Sequence, residues 1–328
     1  MSRQKGEKIF NETAWEKVSK ENKNIVSDYV LEMKSKGRSK GTIYQYTADI
    51  KMFLCWLIDN DIEKSLLQLK KREYRSFFLE MGEKGTSPAR INRVQCSIRN
   101  LLEFIAGDDD EYEDYEINAM RAIKGLAKES VREIHFVKNE HVEAMLEALI
   151  EQGNYQKALY LSLSYESVGR RNEIAQVLKH DFLENKRTNE VVGKRGKKFK
   201  MLYFDRSREI AKMYLEQRGE DNVESLWVVG TGDAKRAAEY STLYGWALSL
   251  RKVLEAVSGE FVEINAHSFR HSGLENYENG THYVLKQLGK AKLPLEVLKV
   301  LANHSDISTT QSYLMNKDDE LLESAFGL

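Results

Sequence analysis

The feature that most constrains the fold is a series of long segments with helical periodicity in a chain almost free of proline. The 328 residues contain only Pro88 and Pro294, so few points interrupt the backbone hydrogen bonding of a helix. In residues 37–60, apolar side chains recur at spacings of three and four, which is typical of an amphipathic helix. We therefore expect a mainly α-helical protein that also contains a small β-hairpin or sheet.

The helical segments fall into two regions, which suggests two domains for a chain of this length. In the first region, helices are predicted near 22–36, 37–60, 72–83 and 87–105, and four such helices are typical of a small bundle. The second region begins at about 134 and adds strand-like stretches on both sides of a basic turn. Its helices are predicted near 139–151, 154–166, 171–179, 206–218, 239–257, 267–279, 293–302 and 306–314, and its strands near 189–193 and 199–204.

The charge of the chain is unevenly distributed although its sum is close to zero. Residues 1–106 carry 20 Lys and Arg against 14 Asp and Glu, whereas residues 107–117 carry seven acids and no base. Local basic patches, rather than net charge, set the affinity of a protein for phosphate groups. We therefore predict a first domain at 1–106, an acidic linker at 107–134 and a second domain at 135–328.

The cysteines and the apolar segments indicate where the protein works. Cys55 and Cys96 lie in helical segments and form no spaced set of metal ligands, which suits a reducing compartment. The polar start of the sequence lacks the apolar core of a signal peptide, and no apolar run is long enough to span a membrane. We expect a cytoplasmic protein with no metal, no cofactor and no membrane contact.

Two short strings near the end of the chain combine phosphate-binding groups with groups that transfer protons. AHSFRHS at 266–272 contains His267 and Arg270, which share one face of a helix because they are three residues apart. In LANHSDISTTQSYL at 301–314, His304 is followed nine residues later by Tyr313. An imidazole, a guanidinium and a phenol that converge on one spot can bind a phosphodiester and attack it without a metal.

These strings and two others resemble the sequence boxes of tyrosine recombinases, the phage integrase family. HSFRH resembles the HxxR box, and NHSDISTTQSY resembles the box in which a His precedes the nucleophilic Tyr. SVGRRNEI at 167–174 resembles the first Arg box, with Arg170 and the acidic Glu173 as the matching residues. VVGKRGKKFKMLYF at 191–204 resembles the β-hairpin that carries the catalytic lysine, which makes Lys194 the match and leaves Lys197 as the alternative.

The order of the four boxes decides how they are interpreted. Taken alone, each residue is more typical of packing, capping or a solvated surface, but four boxes in the family's order favour the recombinase fold. That fold is mainly α with a small β-hairpin or sheet, and it joins a helical core-binding domain to a mixed α/β catalytic domain. The residues at the matching catalytic positions are Arg170, Lys194, His267, Arg270, His304 and Tyr313.

The resemblance implies how protons and bonds move in the reaction. Tyr313 is implied to be the nucleophile that attacks a DNA phosphodiester and forms a 3′-phosphotyrosyl intermediate. His267 would assist proton transfer with this phenol, and Lys194 would protonate the 5′ oxygen as it leaves.

The resemblance also implies which groups hold the phosphate. Arg170 and Arg270 would bind the non-bridging oxygens, because guanidinium groups stay charged and donate in pairs. His304 would donate a further hydrogen bond to the same phosphate. The basic residues Arg171, Lys197 and Lys198 are predicted to contact DNA near these boxes.

The first domain resembles the core-binding domain of the family. Two strings, SKGTIYQYTADIKMF and SPARINRVQCSIRNLLEF, carry this resemblance. The residues predicted to bind DNA there are Lys40, Thr42, Tyr44, Arg90 and Arg93. Double-stranded DNA is therefore the implied partner, with self-association on DNA as a dimer or tetramer. The apolar tail at 318–328 is implied to dock on a neighbouring protomer, and packing in cis is the alternative.

The sequence departs from the family pattern at three places. The stretch between Arg270 and His304 is longer than usual, with the surplus near 281–292. Arg171 is a second arginine in the first box, and Ala302-Asn303 precedes His304 where the family has a Gly. The surplus is either a surface loop or a segment that alters how His304 and Tyr313 meet the phosphate.

Two functions remain open from the sequence, since fold does not determine function. The complete set of catalytic residues favours site-specific recombination for a phage or mobile element. The alternative is a sequence-specific DNA-binding regulator that keeps the recombinase fold without productive strand exchange. A type IB topoisomerase shares the chemistry but not the N-terminal arrangement.

Overall fold

The structure is a computed structural model of the chain and describes residues 11–107, 111–112, 115, 117–127, 135–180, 182–311 and 313–314. The chain divides into two compact units, residues 1–133 and 134–328, and each has its own cluster of buried apolar side chains. The assignment of 1–106, 107–134 and 135–328 as domain, linker and domain stays a prediction. No helix in the described ranges is long and apolar enough to cross a membrane.

The N-terminal unit is a bundle of helices whose starts are fixed by serine side chains. Ser19, Ser39 and Ser87 each accept a hydrogen bond from a backbone N–H in the first turn of the helix that follows, which satisfies a donor without a partner in the helix. Helix α1, at the start, is an element that was not predicted. The helices are α1 (Glu12–Lys17), α2 (Lys20–Ser35), α3 (Lys40–Asp59), α4 (Lys71–Glu83) and α5 (Pro88–Ile105).

The core of the N-terminal unit extends to residues that follow α5. Phe53 stacks on Tyr74 with ring centroids 5.1 Å apart, and Met120 and Ile123 are buried in the same cluster. Part of the segment predicted as a linker therefore packs on this bundle. Most of the acidic run, at 108–110, 113–114 and 116, lies outside the described residues.

The C-terminal unit is built around a buried helix. In α7, every residue from Ala158 to Glu166 is buried. Two antiparallel hairpins, β1–β2 and β3–β4, are the only sheets among the described residues, so the prediction of a mainly α fold with a small β-hairpin is confirmed. The elements are α6 (Asn139–Glu151), α7 (Tyr155–Glu166), α8 (Arg171–Ile174), β1 (Arg187–Val192), β2 (Lys198–Leu202), α9 (Asp205–Arg218), β3 (Val228–Val229), β4 (Arg236–Ala237), α10 (Tyr240–Ser258), α11 (Ser268–Asn279), α12 (Tyr283–Gln287), α13 (Leu295–Leu301) and α14 (Ile307–Gln311).

Close contacts with α7 position several later elements. A Cβ at Gly273 would lie 2.5 Å from the Tyr165 carbonyl oxygen, so only glycine lets α11 approach α7 this closely. The buried Glu166 carboxyl accepts hydrogen bonds from the Phe204 N–H at 2.8 Å and the Tyr283 hydroxyl at 2.9 Å. Burial raises the pKa of Glu166. These bonds attach α12 and the start of α9 to the central helix.

The long segment between α11 and α13 begins in the hydrophobic core, where residues 282–285 are buried, and continues at the surface, where residues 286–292 are exposed. Its helix α12 buries Tyr283, and the preceding His282 ring stacks between Tyr165 and Tyr277 at centroid distances of 4.1 and 3.7 Å. Burial lowers the pKa of His282 to about 3, so the ring is neutral at pH 7. Residues 282–285 of the surplus therefore add core packing to the C-terminal unit.

Candidate functional site

The turn before α8 presents the first arginine of the site. Glu173 accepts the Arg170 backbone N–H at Oε2 (2.7 Å) and the Arg170 Nη1 at Oε1 (3.0 Å). Glu173 is almost fully buried, whereas the Arg170 side chain keeps 22% of its surface exposed. The carboxylate therefore fixes the direction of the guanidinium and leaves part of it accessible.

The backbone just before Arg170 is strained. Val168 has a φ of 47°, a left-handed conformation that is costly for a β-branched residue. Gly169 follows it, and a Cβ there would lie 2.6 Å from the Met201 Sδ. The Val168 carbonyl oxygen accepts a hydrogen bond from the Arg270 Nη1. The strain thus occurs where the first Arg box contacts Arg270 of the HxxR box.

Arg270, in α11, is the buried centre of the site. Only 1% of its surface is exposed, and its Nη2 donates to the Ala302 carbonyl oxygen at 2.7 Å. Its Nε–H is buried without an acceptor among the described residues, which costs about 1–3 kcal/mol. Burial, and then the charge of Arg170, lowers the pKa of Arg270 to about 10. The charge of Arg170 therefore acts on the Arg270 guanidinium, which is still cationic at pH 7.

The hydrogen bonds of His304 define its tautomer. The Arg270 Nη2 lies 2.6 Å from the His304 Nε2, and because a guanidinium only donates, Nε2 must accept. The proton of the neutral ring is then on Nδ1, which donates to the Thr310 Oγ1 at 2.9 Å. Burial, followed by the charges of Arg270 and Arg170, lowers the pKa of His304 to about 3. Both ring nitrogens are therefore engaged by protein groups.

The residue before His304 explains one departure from the family pattern. Asn303 has a φ of 51°, in the left-handed region that Gly occupies freely and that Asn tolerates better than most other residues. Asn303 therefore supplies the backbone turn that a Gly would supply at this position.

Tyr313 lies half-buried against the groups expected to act with it. Its ring centroid is 5.1 Å from that of His304, and the Arg270 Cζ is 5.1 Å from the same Tyr313 centroid. The Tyr313 ring also stacks on His271, with centroids 4.3 Å apart and planes at 20°. The structure thus brings Tyr313, His304 and Arg270 together.

His267 lies at the N-terminal end of α11 and is exposed on one side. Crowding by protein atoms on its other side lowers its pKa, and the charges of Arg270, Arg171 and Arg170 lower it further. Its ring is therefore neutral at pH 7 and lies within the influence of the arginines. In the described ranges no hydrogen bond joins this ring to Tyr313.

The β1–β2 hairpin is anchored beside two of the boxes. A Cβ at Gly193 would lie 3.1 Å from the Glu173 Oε1 and 3.4 Å from the Asn303 Nδ2. The Gln176 side chain accepts from the Val192 N–H at 2.9 Å and donates to the Val192 carbonyl at 3.0 Å. The turn end of the hairpin therefore contacts the first Arg box and the residue before His304.

The candidate lysines of this hairpin are exposed. Lys194 and Lys197 lie in the turn between β1 and β2, and none of the described contacts joins either ammonium group to Tyr313. Lys198 forms a solvent-exposed ion pair with Glu190 at 3.2 Å. The choice between Lys194 and Lys197 therefore stays open.

Arg171 lies flat against an aromatic surface. Its Cζ is 3.7 Å from the Tyr240 ring centroid and 4.7 Å from that of Tyr244, a cation–π arrangement that keeps the guanidinium ordered. Both tyrosines are partly exposed in the first turns of α10. Within the part of the chain that the structure describes, no ion pair involves Arg171, so its charge is available to an anion.

The predicted DNA-binding residues of the N-terminal unit differ in accessibility. Lys40, Tyr44 and Arg90 are exposed, and 76% of the Tyr44 surface is accessible. Thr42 lies in the first turn of α3, where its Oγ1 is 2.9 Å from the Ser39 Oγ. The three exposed side chains are free to meet a ligand.

Arg93 has an internal partner instead. Its Nη2 donates to the buried Asp49 carboxylate at 3.0 Å, and the Ser97 hydroxyl donates to the same carboxylate at 2.9 Å. Arg93 therefore helps to join α3 to α5, and because 38% of its side chain is exposed, its contact with DNA stays a prediction.

Three residues that the motifs did not single out also shape the site: Val168, His271 and Thr310. All three stand inside the recognised strings, so their positions were visible in the sequence and only their conformation and contacts were not. The left-handed backbone of Val168 has no signal in the sequence, because nothing about valine favours that conformation.

Comparison with known proteins identifies the family. A sequence model described as Phage integrase family matches residues 135–320, and one described as Phage integrase, N-terminal SAM-like domain matches residues 26–107. The SPbeta prophage-derived recombinase-like protein YomM of Bacillus subtilis (strain 168) is 26% identical, over 94% of this chain and 91% of that protein. The tyrosine recombinase XerC of Treponema denticola is also 26% identical, over 84% of this chain and 88% of that protein.

Solved structures share the fold. A lambda integrase (75-356) dimer bound to a COC′ core site has a TM-score of 0.64 at 16% identity, covering 88% of this chain and 94% of that chain. The XerH site-specific recombinase bound to a palindromic difH substrate has a TM-score of 0.64 at 18% identity, covering 89% and 81%. The recombinase fold expected from the sequence boxes is thus confirmed. Because the first family model spans more than half of the sequence, the chain belongs to the phage integrase family.

Proposed function

We propose that this chain is a site-specific DNA recombinase that cuts a strand with Tyr313 and rejoins it to another. The observation that carries the proposal is one cluster in which the Tyr313 ring lies beside His304 and the buried guanidinium of Arg270. Arg170 is close enough to lower the pKa of Arg270. A phenol beside one buried cation and near a second is the combination that attack on a phosphodiester requires.

In the proposed step, the phenol oxygen of Tyr313 attacks the phosphorus of a DNA phosphodiester. As the O–P bond forms, the phenol proton passes to His267, which is neutral because its pKa is lowered. The bond from phosphorus to the 5′ oxygen breaks, and this oxygen takes a proton from Lys194. The products are a 3′-phosphotyrosyl link and a free 5′ hydroxyl, and the reverse attack by another 5′ hydroxyl reseals the strand without ATP.

The two arginines are proposed to bind the non-bridging oxygens of the reacting phosphate. The Arg270 Nε–H is a buried donor without an acceptor among the described residues, and a phosphate oxygen would accept its hydrogen bond. The Arg170 guanidinium is also partly accessible. Donors fixed in advance stabilise charge that develops in the transition state.

The main role proposed for His304 is to orient the guanidinium of Arg270. Its Nε2 accepts from Arg270 and its Nδ1–H is directed at Thr310. A hydrogen bond from His304 to the phosphate, as expected from the sequence, would require Nε2 to carry the proton instead.

The proposed partner is double-stranded DNA contacted by both units, with Arg171, Lys197 and Lys198 binding phosphates beside the reacting one. Lambda integrase has been solved as a dimer on a core site and as a tetramer on a Holliday junction, and we propose similar self-association on DNA here. The tail at 318–328 lies outside the described residues, and its exchange between protomers stays part of this proposal. A cytoplasmic location is proposed because the proposed partner is DNA.

The role of Lys194 can be separated from that of Lys197 by the leaving group. Lys194→Ala should slow cleavage of ordinary DNA by about 10²–10⁴, the usual contribution of a general acid. A substrate with sulfur in place of the bridging 5′ oxygen should restore most of the rate, because a thiolate (thiol pKa about 8.5) leaves without a proton. Single-turnover cleavage of the two substrates measures this.

The matched control is Lys197→Ala. With protein in saturating excess over DNA, so that a lost phosphate contact does not limit the rate, it should cleave both substrates at nearly the wild-type rate. The reverse pattern would assign the acid to Lys197. If both variants lose cleavage activity and the 5′-sulfur substrate restores neither, the general acid is not a lysine of this hairpin.

The exposed cations of the N-terminal unit should control the salt dependence of DNA binding. Each neutralised phosphate contributes about −0.9 to the slope of log affinity against log salt. Lys40→Ala combined with Arg90→Ala should therefore reduce that slope by about 1.8, with little change in stability since both side chains are exposed.

Titration of labelled duplex DNA at several salt concentrations measures the slope. The control is Lys84→Ala, which removes a lysine of the same unit that pairs with Glu80 at 2.7 Å and should leave the slope unchanged. An unchanged slope in the double variant would contradict a DNA contact at α3 and α5.

The proposed function is tested by covalent capture. The wild-type chain first enriches a binding site from a random-sequence DNA library. A nicked duplex carrying that site loses a short fragment after cleavage, which prevents resealing and accumulates a protein–DNA adduct. A denaturation-resistant adduct supports the recombinase. Enrichment of a site without an adduct would support the regulator.

A further inference from the structure

We infer that His271 is a positioning residue for the nucleophile, holding both the backbone and the ring of Tyr313 in the orientation needed for attack. The inference rests on the proposed function, since it concerns the tyrosine of that reaction. No sequence box assigns a role to His271, which follows Arg270 directly in α11.

Two different contacts join His271 to Tyr313. The His271 Nδ1 lies 3.2 Å from the Tyr313 carbonyl oxygen, and because a carbonyl only accepts, Nδ1 must carry the proton. The two rings also stack, with centroids 4.3 Å apart and planes at 20°. The hydrogen bond fixes the backbone of Tyr313, and the stack fixes the plane of the phenol ring.

The surroundings of His271 make it a rigid support. The Phe136 ring meets the imidazole edge-on, with centroids 6.2 Å apart and planes at 88°. His271 is itself half-buried on the same helix as Arg270, which is anchored to the Val168 and Ala302 carbonyls. Two adjacent residues of α11 therefore serve the site: Arg270 is the proposed phosphate-binding group, and His271 positions the nucleophile.

The chain leading to Tyr313 provides little support of its own. Helix α14 has five residues and ends at Gln311, two residues before Tyr313. Beyond it, the Tyr313 N–H donates to the Thr310 carbonyl at 3.0 Å. The contacts with His271 therefore supply orientation that the short helix alone cannot supply.

The two contacts can be removed separately. His271→Ala removes both of them, His271→Phe keeps a ring for stacking, and His271→Asn keeps an amide donor near the position of Nδ1. A displacement of about 1 Å at a reacting group can cost about 10² in rate, so His271→Ala should cleave roughly 10²-fold more slowly. His271→Phe and His271→Asn should each retain part of the rate.

The experiment measures DNA affinity and the single-turnover cleavage rate on a nicked duplex carrying the site that the wild-type chain enriches. We expect unchanged affinity, a slower cleavage rate, and no rescue by a 5′-sulfur substrate, because the approach of the phenol is impaired and not the departure of the 5′ oxygen. The control is His141→Ala, which removes another half-buried histidine of the C-terminal unit, with Glu140 as its neighbour, and should cleave normally.

The outcomes separate this inference from the proposed function. Wild-type protein that forms no adduct contradicts the recombinase itself. Wild-type protein that forms the adduct while His271→Ala cleaves as fast, or faster, overturns the positioning role alone. If His271→Ala fails to fold in a thermal unfolding assay, the Phe and Asn variants decide, and wild-type rates in both overturn the inference.

Discussion

Tyr313→Phe should eliminate covalent attachment to DNA while leaving folding and DNA affinity intact. Phenylalanine keeps the ring that contacts His271 and His304 and removes only the hydroxyl that would attack phosphorus. The Thr310 hydroxyl also contacts His304, but it is fully buried and accepts a hydrogen bond from the His304 Nδ1–H, so no residual adduct is expected from this pocket. The measurement is adduct formation on the nicked duplex, with affinity determined in parallel.

A matched control is Tyr244→Phe, which removes the hydroxyl of a partly exposed tyrosine beside Arg171. It should form the adduct at the wild-type level. In cells that depend on the protein, Tyr313→Phe should behave as a null allele. Full function of this variant would support the regulator and contradict the enzymatic reaction, although the fold would be unaffected.

Arg270→Met should nearly abolish cleavage with a much smaller effect on stability. Loss of one preorganised donor to a developing oxyanion costs about 10²–10³ in rate, or roughly 3–4 kcal/mol. If Arg270 had only a structural role, its replacement would mainly lower the stability of the protein. The cleavage rate and Tm of the variant therefore separate a catalytic role from a structural one.

The small stability effect follows from two opposed changes. The pKa of Arg270, lowered to about 10, indicates that the pocket disfavours the charged group by roughly 3 kcal/mol at 1.36 kcal/mol per unit. Removing the guanidinium relieves this and the unpaired Nε–H, but it leaves the Val168 carbonyl, the Ala302 carbonyl and the His304 Nε2 without donors, at about 1–3 kcal/mol each. The two changes offset each other, so Tm should move by only a few degrees.

Arg270→Lys serves as the control for charge. It keeps a cation but loses the paired donors, so it should retain DNA affinity and still cleave slowly. Global unfolding of Arg270→Met, or cleavage near the wild-type rate, would contradict the role assigned to Arg270.

The periodicity of the sequence predicted helix positions well where local packing decides them. The segment predicted at 139–151 is α6 with the same limits, and 154–166 is α7 to within one residue. The segment predicted at 171–179 is helical only at Arg171–Ile174. Beyond it, the Val177 carbonyl accepts from the Leu226 N–H and the Lys179 N–H donates to the Glu224 carbonyl. Long-range backbone hydrogen bonds therefore take the place of helical ones here. The local sequence pattern does not predict such pairing.

The identity of the site residues came from motifs, but their geometry did not. The boxes pointed to Arg270 and His304, yet their mutual hydrogen bond and the resulting tautomer depend on α11 reaching α7 through Gly273. The sequence is compatible with either a surface loop or a perturbing segment at 281–292. Its burial around His282 is a tertiary effect that a single sequence does not reveal.

The most direct test of the account is to identify the amino acid and the DNA end in the covalent adduct. After cleavage of the nicked duplex, proteolysis and mass spectrometry locate the residue that carries the nucleotide among the 16 tyrosines of the chain. The account predicts a single modified peptide, with the Tyr313 oxygen bonded to a 3′ phosphate and a free 5′ hydroxyl on the released strand. Attachment at another residue, or to a 5′ phosphate, would contradict it.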